Sequence, residues 1–161
     1  MIRAARPYDA EAIAGLWNRM IRDTLATFTT VEKRADDIAG QIETRPGQWW
    51  VAAEDDIFGF AAFGPFRDGP GYAATCEHTV IVSRSARGRG VGKALIEQLE
   101  RAARDSGYHV IVAAISGTNS DAIAFHARLG FEQVARMPEV GRKWEQWLDL
   151  VLMQKILTPE E

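Results

Sequence analysis

Glycines and cations alternate through Arg87-Gly88-Arg89-Gly90-Val91-Gly92-Lys93, and residues of these types in this order suit the binding of an anion. Glycine lets backbone N–H groups approach a ligand without a Cβ in the way, and the first turn of a helix leaves N–H groups unpaired at its positive end. Thr79-Val80-Ile81-Val82 reads as a buried strand before the run, and Val91, Leu95, Leu99 and Ala102 recur at helical spacing after it. The glycines therefore sit where a strand turns into a helix, and a phosphate or pyrophosphate is the expected guest. The plainer alternative is a flexible basic turn that only caps a helix. Two familiar phosphate loops do not fit. A P-loop needs Gly at 87 and Ser or Thr at 94, where Arg87 and Ala94 stand, and a dinucleotide fingerprint needs Gly at 93, where Lys93 stands.

A second chemical group lies just upstream, in Thr75-Cys76-Glu77-His78-Thr79. Side chains alternate across a strand, so Glu77 and Thr79 face one way while Cys76, His78, Val80 and Val82 face the other. An exposed edge strand would account for a carboxylate there, but a strand abutting a ligand loop is expected in the interior of a sheet, where Glu77 needs a reason. Cys76 beside His78 does not read as a thiol nucleophile, because no third group orients the base and a small buried Cys explains itself.

The elements that must position these groups follow the chain. Ile2 to Ala5 reads as a short strand ending at Pro7, and Asp9 as the cap of a helix from Ala10 to about Thr24 with Ile13, Leu16, Trp17, Met20 and Ile21 on one face. Phe28, in the connection to a second helix over Val31 to Glu43, either plugs the space between helices or lines a pocket. Trp49 to Glu54 and Ile57 to Phe63 read as a hairpin turning at Asp55-Asp56, broken by Gly64-Pro65. A loop from Phe66 to Gly71 leads into a strand from Tyr72 or Ala73 to Val82. Beyond the glycine run and its helix, Ser106-Gly107 signals a C-cap and His109 to Ile115 another buried strand. Strand, helix and strand in that order make a right-handed crossover with the ligand loop at its carboxyl end. Asn119 caps a last helix carrying Ala122, Ile123, Phe125, His126 and Leu129 and ending at Gly130-Phe131.

Composition sets the frame. A chain of 161 residues with 47% hydrophobic and 25% charged side chains is expected to fold as one α/β domain, residues 1–161, with a mixed sheet. A net charge of -3 argues against a nucleic-acid partner. No apolar run approaches the roughly 18 residues of a membrane span, and Arg3, Arg6, Asp9 and Glu11 interrupt the N-terminus too early for a signal peptide, so a cytoplasmic protein is expected. With one cysteine and three histidines, neither a disulfide framework nor a metal site is expected.

Arg87, Gly90 and Gly92 resemble the Arg-x-x-Gly-x-Gly motif of the GNAT N-acetyltransferase family. From Gly64 to Leu157 the likeness narrows to the branch of phosphinothricin and methionine sulfoximine/sulfone acetyltransferases. It is carried by Gly64-Pro65-Phe66-Arg67, Glu77 to Val82, the glycine run, Phe125 to Phe131, Met137 to Lys143 and Trp147 to Leu150. The resemblance implies a twisted mixed sheet with helices on both faces, in which the strands at Glu77 and His109 splay apart to admit acetyl-CoA. It implies main-chain contacts from Val80, Ile81 and Val82 to the pantetheine, and a pyrophosphate held by Arg87, Gly88, Arg89, Gly90, Val91, Gly92 and Lys93, with Asn119 joining them. It puts Glu77 in the place of the general base and Arg67, Pro70, Gly71 and Tyr72 on the wall that receives the acceptor. His126 stands where the broad family has a Tyr beside the thiol. An imidazole with a reference pKa near 6.5 can protonate a departing thiolate; it can equally be a half-buried helix histidine satisfied by a carbonyl.

The activity so implied is transfer of an acetyl group from acetyl-CoA to the primary amine of a small amino-acid-like molecule, by a homodimer that needs no metal. The alternatives are acetylation of a peptide N-terminus and a CoA-binding module without catalysis; Glu77 counts against the second.

Overall fold

A computed structural model describes residues 1–159. Its strands are β1 (Ile2–Ala4), β2 (Trp49–Ala53), β3 (Ile57–Pro65), β4 (Thr75–Val82), β5 (Val110–Ser116), β6 (Glu132–Lys143) and β7 (Gln146–Ile156). The helices are α1 (Ala10–Asp23), α2 (Ala35–Thr44), α3 (Val91–Asp105) and α4 (Ser120–Arg128). The strands form one seven-stranded mixed sheet in the order β1-β2-β3-β4-β5-β7-β6, with β4 and β5 its parallel pair and β4 in its interior.

Each face of the sheet carries two helices because each strand alternates two apolar sets. Ile13, Ile38 and Ile42 of α1 and α2 bury against Trp49, Val51, Phe60 and Ile81. Leu95, Ile96 and Leu99 of α3 bury against Ala61, Cys76, Ile111 and Val151, with Ile123 and Phe125 of α4 packed beside them. Burying one such Leu or Ile contributes roughly 1.5–3 kcal/mol, so these stripes, rather than helix propensity, fix the layers.

Four local expectations need correction. β3 does not break at Gly64-Pro65, since Gly64 and Pro65 still pair with Glu77 and Cys76 of β4. β4 starts at Thr75, because Pro70–Tyr72 closes a 3-10 turn first. α2 begins at Ala35 rather than Val31, since the Asn18 side chain takes up the Lys33 carbonyl and N–H at 3.0 and 2.6 Å and Arg34 before the helix is extended. Asp9 is buried but does not cap α1; its carboxylate accepts from Arg6 N at 2.7 Å and from the Arg3 guanidinium at 2.8 and 2.9 Å.

One long-range tie crosses from the sheet edge to the α1–α2 connection. Lys143, at the end of β6, is 2% exposed, and its Nζ donates to the carbonyls of Ile21, Thr24 and Thr27 and to the Thr27 hydroxyl at 2.7 to 3.0 Å. Phe28, in the same connection, packs over Gly141 so closely that a Cβ there would stand 2.5 Å from its ring.

Candidate active site

β4 and β5 pair in register only from Thr75–Val110 to His78–Ala113, after which they diverge. The fork between them opens a cavity of about 330 Å³ lined by His78 to Ile81 on one arm and Ala113 to Ser116 on the other, with Asn119, Ala122 and His126 of the α4 region along one wall. Trp17, Met20 and Phe28 close it from the opposite face of the sheet. Phe28 is therefore both a plug over Gly141 and a wall of the fork.

The glycine run lies at the end of β4, after a 3-10 turn over Arg84–Ala86. Gly90 is the N-cap of α3 with φ 76°, in the left-handed region, and Gly88 has φ 79°. No side chain caps the helix, so its first-turn N–H groups are left for an outside acceptor. A Cβ on Gly90 would touch no protein atom; it is the backbone conformation that asks for glycine there. Gly92 is small for a different reason, since a Cβ would stand 3.1 Å from the Phe125 ring where α3 meets α4. The cations are exposed. Arg89 reaches Glu54 at 3.6 Å, Lys93 reaches Glu97 at 3.8 Å, and Arg87 projects from the loop before them.

Glu77 lies on the other face of β4 from His78, as the alternation requires, and faces a second cavity of about 430 Å³ lined also by Trp17, Lys33, Arg45, Gly64 and Thr79. Trp17, Thr29, Lys33 and Thr79 border both cavities, which are therefore neighbours. Burial raises the Glu77 carboxyl above its ordinary pKa, and no ion pair among the described residues offsets that shift.

His126 is 4% exposed; its Nδ1 faces the Ala122 carbonyl at 2.8 Å and its Nε2 lies 3.0 Å from His78 Nε2. Both ring nitrogens are thus engaged, one by the backbone and one by a second imidazole. Asn119 caps α4 through Oδ1, which accepts from Ala122 N at 3.2 Å, leaving its amide N–H groups available to the fork. The Cys76 thiol is buried and its pKa is pushed up to about 12 by desolvation, so it is no nucleophile near neutral pH.

Asn119 and His126 therefore line the fork, Glu77 lines the neighbouring cavity, and the glycine run follows at the end of β4 without lining either cavity. The expected acceptor wall is elsewhere. Arg67 stacks over the Tyr72 ring at 5.3 Å, and Arg67, Pro70, Gly71 and Tyr72 are exposed and line neither cavity. The residues that do line the Glu77 cavity include Lys33 and Arg45, which sequence reading left unremarked because they sit in a polar helix and its approaches. His78 was seen only as a neighbour of Cys76. The one signal that could have found Arg45 is Gly64, a small residue at the strand position facing Glu77.

Comparison with known proteins decides the lineage. The Acetyltransferase (GNAT) family model matches residues 17–131, a span running from the wall of both cavities through the glycine run to the end of the α4 region. The chain belongs to the GNAT acetyltransferase family. An L-methionine sulfoximine/L-methionine sulfone acetyltransferase of Pseudomonas aeruginosa is 36% identical over 98% of this chain and 95% of its own length. The L-amino acid N-acyltransferase MnaT of Escherichia coli is 38% identical, with coverage of 95% and 91%. The yncA protein of Salmonella typhimurium, solved with its cofactor acetyl-CoA, superposes with a TM-score of 0.93 at 35% identity, over 99% of this chain and 95% of that one.

The yncA neighbour binds acetyl-CoA, and the geometry of this GNAT chain fits that ligand. A forked sheet offers unpaired strand edges to an extended arm, and the left-handed glycines at the mouth of α3 offer a cradle for the pyrophosphate. Among the described residues no group of three or more His, Cys, Asp and Glu could hold a metal ion, and no helix is long and apolar enough to cross a membrane.

Proposed function

We propose that this acetyltransferase acetylates the primary amine of a small amino-acid-like acceptor of the phosphinothricin, methionine sulfoximine or methionine sulfone type, by direct attack with Glu77 as general base. The observation that carries this reading is that two cavities share Thr79 as a wall: one lies in the fork, the other holds a half-buried carboxylate. The names of the 36% and 38% identical relatives support the acceptor class.

Acetyl-CoA supplies an activated acyl group as a thioester. The main chain of Val80, Ile81 and Val82 would run along its pantetheine, with Asn119 across the fork, and the first turn of α3 with Arg87 to Lys93 would meet its pyrophosphate. An ammonium cannot attack a carbonyl until it loses a proton. Glu77 accepts that proton, and its raised pKa brings its basicity closer to the task. A main-chain N–H on β4 would stabilise the negative charge that builds on the carbonyl oxygen. His126 lines the fork and would return a proton to the departing sulfur only once its Nε2, which faces His78, has taken up a proton.

The apolar side chains Val134, Met137 and Val140 exposed on β6, Trp144 in the turn and Trp147 at the start of β7 support a homodimer, and composition supports a cytoplasmic protein. The test is acetyl-CoA consumption with methionine sulfone, methionine sulfoximine, phosphinothricin, free amino acids and a peptide. Turnover of one of the small amines carries the reading, and turnover of the peptide alone overturns it.

A further inference from the structure

Arg45 ends α2, and its guanidinium lies across Gly64: a Cβ on Gly64 would stand 3.3 Å from Arg45 Nη1. Gly64 is the register partner of Glu77 on the neighbouring strand. Directly opposed residues of an antiparallel pair point to the same face with Cβ positions about 4.5–5.5 Å apart. The side-chain position facing the base is therefore empty of its own side chain and occupied by a cation reaching in from another element. Arg45 and Glu77 line the same cavity yet form no ion pair, and among the described residues the Arg45 side chain has no hydrogen-bond or ion-pair partner.

We propose that Arg45 receives the carboxylate of the acceptor, and that Gly64 lacks a side chain so that the guanidinium can reach it. This rests on the reading of Glu77 as the base, and it narrows the acceptor to a free α-amino acid. Such a molecule carries its ammonium and its carboxylate on one carbon, so its receptor must set a carboxylate and a cation side by side with a gap between them. Glu77 and Arg45 do that across one β-ladder step. The guanidinium offers two parallel donors to a carboxylate, which a lysine does not. Lys33 and Arg34 also line this cavity, but Lys33 Nζ lies 4.6 Å over the Trp17 ring and Arg34 stands at the start of α2, whereas the Arg45 guanidinium is the one against Gly64. A peptide N-terminus would present an uncharged amide to Arg45 and leave the cation unmatched, so the same pair selects against it.

The test follows CoA release by the full chain with methionine sulfone, its carboxamide and a short peptide, in the parent, Arg45→Ala, Arg45→Lys and Gly64→Ala proteins. In the parent the acid should exceed the carboxamide in kcat/KM by roughly a hundredfold or more. Arg45→Ala should abolish that preference while the KM for acetyl-CoA stays put, and Arg45→Lys should restore only part of it. Gly64→Ala, which crowds the guanidinium, should raise the KM of the acid selectively. Equal acid preference in parent and Arg45→Ala overturns the assignment of Arg45 alone. Turnover of the peptide with none of the free amino acid overturns both this and the small-acceptor reading.

Discussion

The Nε2 atoms of His78 and His126 meet at 3.0 Å while the Nδ1 of each ring faces a carbonyl, that of Val112 at 3.1 Å and that of Ala122 at 2.8 Å. Each Nδ1 is then the donor, which leaves two neutral rings with a lone pair on both Nε2 atoms; a bond between them takes a third proton. Burial opposes it, pushing His78 down to about 3, with the neighbouring His126 adding to the shift, and lowering His126 as well. The unfolded chain binds protons on both rings below about 6.5 and the folded chain does not. Stability should therefore fall as pH drops from about 6.5 toward about 3, by up to about 1.4 kcal/mol per pH unit through His78, with the lowered His126 adding to the loss below about 6.5. Denaturant melts at pH about 6.5 and about 5 should show the loss in the parent and a smaller one in His78→Phe. An identical loss in both would place the acid sensitivity elsewhere.

Glu77→Gln keeps the shape of the side chain and removes its basicity. Its kcat should fall by roughly 10²–10⁴ while acetyl-CoA affinity, read by calorimetry, is kept. The parent rate should rise with pH through a base whose pKa burial lifts above 4.5, and the variant should lose that limb. Near-parent turnover across neutral pH would leave the carboxylate with a positioning role only.

Gly90→Val puts a β-branched side chain at φ 76° and over the mouth of α3. Acetyl-CoA should bind at least about tenfold more weakly, about 1.4 kcal/mol. Unchanged affinity would remove the glycine run from the ligand site.

Lys143→Met keeps the aliphatic stem and strips the ammonium from the carbonyls of Ile21, Thr24 and Thr27. Buried acceptors left without donors cost about 1–3 kcal/mol each, so a loss of roughly 3 kcal/mol is expected after partial relaxation. Urea unfolding should show the shift, and amide exchange over Thr24 to Thr30 should speed up. A parent-like midpoint would mean that water replaces the ammonium without loss.

What was legible in the chain was whatever repeats locally. The helical stripe of Val91, Leu95 and Leu99 placed α3, and the two-residue alternation around Glu77 assigned His78 and Glu77 to opposite faces correctly. Gly64-Pro65 misled because a Pro ends a strand as readily as it breaks one, and only the pairing with Cys76 shows which. Arg45, Lys143 and the His78–His126 contact stayed hidden for a different reason. Their partners lie 19, 116 to 122 and 48 residues away, and no local period encodes a side chain that crosses from one element to another.

The brief ladder between β4 and β5 also has a mechanical meaning. Four residue pairs, Thr75–Val110 to His78–Ala113, are all the strand pairing that joins a half-sheet of β1 to β4 with a half-sheet of β5 to β7. The molecule carries a seam, zipped at one end and open at the other. Any ligand that bonds both open edges works as a fastener, adding about 2.7 kcal/mol at a hundredfold excess over its Kd. The resistance of this fold to heat is then partly a property of the solution around it, set by how much of that fastener is present.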